Sequence, residues 1–200
     1  MTAQKDDLFM YDDQGCAVTG ISEGELFEPE SIGLQPSMTS TVCWRGYRAI
    51  VTLLDSRLVL QSLRVKLPEM HRKGMGAIRG PIAGGTVPMP AGESMVFIHF
   101  YENLQLPLHD NGGILLAADL MSNLYVHMAF HPAWKYERVI AFTFTDDVLH
   151  SVEDKSQQMK EFRGACTPKG DLLAQVKPTV EEVHKFVERA FDRHYRGLNA

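Results

Sequence analysis

Two hundred residues, 44% apolar and 22% charged, are enough for one well-formed core, and this ordinary balance excludes a chain disordered throughout. The net charge of −5 excludes a general nucleic-acid binder, because neutralising phosphates needs a basic excess. The charge falls in blocks: eight acids and one lysine in residues 1–30, eight basic and two acidic side chains in 31–80, seven acidic and two basic in 81–150. This is the pattern of a polarised surface.

The chain opens with a predicted hairpin. Leu8-Phe-Met-Tyr11 and Cys16-Ala-Val18 flank Asp12-Asp-Gln-Gly15, whose Asp and Gly supply turn chemistry. Residues 20–40 read as a loop with one short helical turn around Glu23–Phe27. The strongest β signal runs from Thr41 to Val65, where β-branched and aromatic residues are broken only by Asp55-Ser-Arg57. Leu58, Leu60, Leu63 and Val65 nearly keep a period of two, and the slip at Ser62 marks a bulge.

Residues 66–94 form a long Gly/Pro-rich loop, with six glycines and three prolines between Gly74 and Gly92. Gly74-Met-Gly76-Ala-Ile-Arg79 places arginine where a dinucleotide fingerprint needs its third glycine, and no helix pattern or Gly-Lys-Ser/Thr follows, so nucleotide binding is rejected. Strands are expected at Met95–Tyr101, at Gly112–Asp119 (apolar enough to be buried on both faces), at Leu124–Phe130 and from Trp134 to Thr145. In the last, Val139, Ala141 and Thr143 face one way and Ile140, Phe142 and Phe144 the other; Asp146-Asp147 then turns the chain into Val148–Val152. Thr179-Val-Glu-Glu182 is a capping box, and Val183, Val187, Ala190, Phe191 and Leu198 share one face of a helix over 179–197. The expected fold is a single α+β domain over 1–200, mainly an antiparallel β meander with one C-terminal amphipathic helix.

No catalytic signature stands out, and no catalytic residue, metal or cofactor is assigned. Cys16, Cys43 and Cys166 are odd in number and lack CxxC spacing, which favours small core residues in a reducing compartment. Met1–Asp7 has neither the basic start nor the apolar run of a signal peptide, and no stretch reaches membrane-spanning length, so the expectation is a cytoplasmic protein. His127 and His131 have ligand spacing for a helix but lie in a strand pattern, so a metal is not expected. The pairs Asp12-Asp13 and Asp146-Asp147 sit in turns for backbone reasons.

Two segments resemble a known group. Trp44-Arg-Gly-Tyr47 followed by Leu58-Val-Leu60-Gln-Ser-Leu63, and Tyr125-Val-His-Met128-Ala-Phe130 followed by Tyr136-Glu137, resemble motifs of small bacterial proteins similar to immunity proteins, the cognate inhibitors kept beside secreted antibacterial toxins. The likeness covers residues 42–65 and 112–153. It implies a non-catalytic protein that neutralises a cognate toxin by occluding its active site, and it carries over no functional residue. The residues expected to meet such a partner are Asp12, Asp13, Glu102, Trp134 and Tyr136. The alternatives are an enzyme whose site gathers His99, His127 and Glu137 from distant strands, and a small-ligand-binding or structural subunit using the Gly/Pro loop.

Overall fold

Three two-residue turns organise the chain. In the computed structural model, which describes residues 6–22, 24–38, 43–68, 81–90, 97–125 and 131–166, β1 (Leu8–Tyr11) and β2 (Gln14–Ile21) are joined by Asp12-Asp13. Asp55-Ser56 joins β3 (Tyr47–Leu54) to β4 (Arg57–Val65). Three short strands follow, β5 (Met89–Pro90), β6 (His99–Tyr101) and β7 (Leu106–Pro107), then β8 (Gly113–Leu120). Asp146-Asp147 finally joins β9 (Tyr136–Thr145) to β10 (Val148–Asp154). Both residues of each turn have positive φ, between 51° and 62°. That is the signature of a type I′ turn, whose twist matches the strands, and Asp tolerates it better than most residues. The first two turns are tighter than the four- and three-residue links the sequence predicts, and Asp146-Asp147 is the two-residue turn expected.

The hairpins do not stay an open meander. β8, β9 and β10 run antiparallel in sequence order, and β2 pairs antiparallel with β8. β1 then lies parallel to β3, with Leu8 opposite Ile50, and β4 meets β10 at Arg57 and Val148. The sheet therefore closes on itself in the order β10-β9-β8-β2-β1-β3-β4, and closure removes much of the exposed edge. β6 and β7 cover the rest of β4, and β5 lies outside β6. Part of the predicted Gly/Pro loop is thus ordered by pairing: β5, and a tight turn bridged by Ala83 and Thr86.

Alternation fills the interior. Phe9, Val18, Ala49, Val51, Leu58, Leu60, Leu63, Val65, Ile114, Leu116 and Phe142 are all at most 1% exposed and share one core. The expected bulge is present: Ile50 faces Ser62 while Val51 faces Leu60, so Gln61 is the extra residue and the inward phase survives on both sides of it. Leu26, Phe27 and Leu34, from the connection after β2, complete the core. The short helical turn there lies at Pro29–Ile32 and not at Glu23–Phe27, because Pro29 presets the backbone at its start.

β8 is buried on both faces, as its apolar run predicts, and so is the middle of β9. Leu115, Ala117, Val139 and Ala141 point outward into a second cluster with Tyr136, Ala133 and Met159. Met159 belongs to α1 (Ser156–Cys166), the helix that follows the strands. Its start is fixed by Asp154 Oδ1, which accepts from the Ser156 amide at 2.8 Å, while Ser156 Oγ accepts from the Val139 amide at 3.0 Å. The helix expected over 179–197 lies outside the described residues. Leu124, expected to open a strand, instead ends a 3₁₀ turn (Ser122–Leu124), and a second such turn, Ala133–Lys135, leads into β9. Among the described residues no helix is long and apolar enough to cross a membrane.

Candidate functional site

The type I′ turns bring acids from distant parts of the sequence into one row. The parallel register sets Met10 opposite Thr52, so two residues further on Asp12 comes level with Leu54, beside Asp55. The Leu149 amide donates to the Ser56 carbonyl at 2.8 Å, which docks the Asp146-Asp147 turn against the Asp55-Ser56 turn. On the other flank, Asp119 and Asp12 both act on the buried Cys16 thiol through their charge, together with Arg138. Asp12, Asp13, Asp55, Asp119 and Asp146 are all exposed. Asp147 is tied down instead. Its carboxylate is 2.7 Å from His109 Nδ1 and accepts from the Asp110 amide at 3.0 Å, and the His109 contact holds its pKa below the ordinary carboxylate value.

The other predicted contact residues fare differently. Glu102 is exposed but lies further along β4, in the link after β6, where the Leu104 amide donates to the Gln61 carbonyl. Trp134 is half-buried on the 3₁₀ turn, and Arg163 of α1 donates to its carbonyl at 2.6 Å. Tyr136 is not a surface anchor. It opens β9 on the outward face, which α1 covers, and only 5% of it is exposed. Of the five, only Asp12 and Asp13 stand in the acidic row. The proposed acid–base set is not assembled either. His99 is buried in β6, opposite Val65 at the far end of β4, whereas Glu137 is exposed at the start of β9; His127 lies outside the described residues.

The Trp44-Arg-Gly-Tyr47 motif has a structural explanation that the sequence alone did not show. Arg45 grips the buried Asp7 with two hydrogen bonds of 3.0 Å, Asp7 Oδ1 also accepts from the Ala49 amide at 2.9 Å, and the Tyr47 hydroxyl donates to the Phe27 carbonyl at 3.0 Å. Burial works against the Arg45 charge, but the Asp7 carboxylate outweighs it and holds the guanidinium above its ordinary pKa. Gly46 sits at φ 75°, in the left-handed region, and a Cβ there would run into the Ser37 carbonyl. Cys43 Sγ donates to the Tyr47 carbonyl at 3.2 Å, and burial pushes the thiols of both Cys43 and Cys16 above the usual value, so neither is activated as a thiolate.

No family model, curated protein or solved structure matches the chain. Among the described residues no three His, Cys, Asp or Glu side chains are grouped to hold a metal ion. What the surface offers is electrostatic: a line of exposed carboxylates on tight turns, with the exposed Arg57 at the β4–β10 junction among them.

Proposed function

We propose that this chain is a non-catalytic binding protein that presents its row of acidic turns to a cationic protein surface. The observation that carries this reading is the convergence of Asp12, Asp13, Asp55 and Asp146 along one rim through the β1–β3 and β4–β10 junctions. Two-residue turns on a closed sheet hold their carboxylates with little freedom to lose on binding, and a line of like charge speeds encounter with an opposite surface. The resemblance of residues 42–65 and 112–153 to immunity proteins gives the reading its specific form: a cognate bacterial toxin, neutralised when its active site is occluded.

The test expresses the products of the genes that neighbour this one, each singly, and takes any that is toxic as the partner. The intact protein is expected to bind it and to rescue growth of cells expressing it. Replacing Asp12, Asp13 and Asp55 by lysine should lower the association rate by roughly tenfold or more at low salt and flatten its salt dependence. An association rate unmoved by that triple reversal would sink the proposed surface. Loss of rescue on replacing His99 and Glu137 by alanine, with binding intact, would sink the non-catalytic reading.

A further inference from the structure

The link between β7 and β8 holds the chain's one Asn-Gly pair, Asn111-Gly112. The link runs along the Asp146-Asp147 turn: the Asp110 amide donates to Asp147 Oδ1 at 3.0 Å, the Asp147 amide donates to Asn111 Oδ1 at 3.3 Å, and the Phe144 amide donates to the Gly112 carbonyl at 2.8 Å. Asn111 is exposed. Asn103 and Asn123 are exposed as well, but each precedes a leucine. Packing explains the glycine, because a Cβ at 112 would run into Ser22 Oγ, which is held in place by the Gly113 amide at 2.7 Å.

An asparagine amide lasts until the next backbone nitrogen reaches its carbonyl carbon, and three features favour that approach here. Glycine puts no side chain in the way. Among the described residues the Gly112 amide donates to nothing, although its carbonyl is bonded, so the nitrogen gives up no hydrogen bond to react. The Asp147 amide already points at Asn111 Oδ1, the atom on which negative charge develops when a nucleophile adds to Cγ, and a donor so placed stabilises that charge.

We propose that Asn111 is a self-modification site, deamidating through a succinimide and adding one carboxylate beside the Asp146-Asp147 turn. The Gly112 nitrogen bonds to Asn111 Cγ, the Cγ–Nδ2 bond breaks, and Nδ2 leaves as ammonia with the proton the Gly112 nitrogen gave up. Water then opens the ring. Opening at Cγ gives aspartate; opening at the backbone carbonyl gives isoaspartate, whose extra main-chain carbon falls just before β8. Either product is negative where the amide was neutral, next to Asp110 and against Asp147. The modification needs no partner; its effect on binding rests on the reading of the acidic row as a binding surface.

The full chain is incubated at mildly alkaline pH in heavy-oxygen water, and its peptides are mapped by mass spectrometry. The peptide containing Asn111 should exchange its amide for an acid carrying one heavy oxygen, while Asn103 and Asn123 stay amides. Isoaspartate in that peptide should accept methyl groups from isoaspartyl methyltransferase. On anion exchange the intact protein should shift by one negative charge, to the position of Asn111→Asp, and Asn111→Gln should show no such shift. Mildly acidic pH should slow the gain, because the attacking amide must lose its proton. The chain unfolded in urea serves as the clock, since it shows the reaction without the fold. The proposal is overturned if Asn111 stays an amide in the folded chain once the unfolded chain has converted it, if Asn103 or Asn123 converts as fast, or if the charge gain persists in Asn111→Gln.

Discussion

Asp7 and Lys135 are hidden from water to a similar degree, at 1% and 7% exposure, and the molecule treats them oppositely. Asp7 is met by both arms of a guanidinium and by a backbone amide. Lys135 is met by an indole face, beside an imidazole with no acceptor. The first arrangement ties β1 to the chain just before β3 and so fixes the parallel joint of the ring. The second ties nothing together. Residue burial alone therefore does not say how a charge is met.

The largest expected effect comes from breaking the completed pair. Arg45→Met leaves Asp7 buried with its charge uncompensated, which costs about 3–5 kcal/mol of stability by the usual behaviour of such pairs. Denaturant unfolding checks it. A loss below about 1 kcal/mol would mean that Asp7 is satisfied without Arg45, and the contrast with Lys135 would collapse.

The buried His131 makes its own prediction through pH. His131 in the fold titrates near 4, against an ordinary value of 6.5. Between those values the unfolded chain takes up a proton that the native chain refuses, so stability falls as pH falls through that window and the loss is complete below about 4. The difference corresponds to about 3 kcal/mol. His131→Leu should remove this part of the acid sensitivity, and the parent-minus-variant stability between pH 7 and pH 4 measures it. Asp147 and Asp154, both held below the ordinary carboxylate value, lose their contribution at lower pH and do not mimic the slope.

Gly46 sharpens the contrast from the structural side. Gly46→Ala puts a Cβ against the Ser37 carbonyl in a left-handed backbone, and a loss of about 2–3 kcal/mol is expected. Calorimetric melting tests this. A neutral result would show that the Trp44–Tyr47 segment does not constrain the ring as its contacts indicate.

These sites were unequally legible in the amino-acid order. The hairpins were readable because Asp55-Ser56 and Asp146-Asp147 interrupt β-branched and aromatic runs, and both the signal and the structure are local. Ring closure was not, because the Leu8–Ile50 and Arg57–Val148 pairings join residues far apart in sequence and leave no periodic trace. α1 was missed because among its described side chains Met159 alone is buried, with Phe162 left 46% exposed; the polar Asp154-Lys-Ser156 start was the available cue. Tyr136 was misread because alternation assigns it to a face without saying that a later helix covers that face. Lys135 carried no signal at all, since a lysine before a strand ordinarily reads as solvated.

The smallest expected effect is the one that best separates surface from fold. Changing Asp12-Asp13 to Asn-Gly keeps the positive-φ turn, supplies the residues that favour it most, and removes two carboxylates from the acidic row. Stability should stay within about 0.5 kcal/mol of the parent or rise slightly, because neither side chain is buried and the turn geometry is retained. Binding to a cationic partner should slow at low salt, and the slowing should vanish at high salt as screening removes the long-range term. If the same change instead lowered the melting temperature by many degrees, the acids would be holding the ring together, and the row of turns would be a second instance of the Asp7 kind of charge, one placed for the fold.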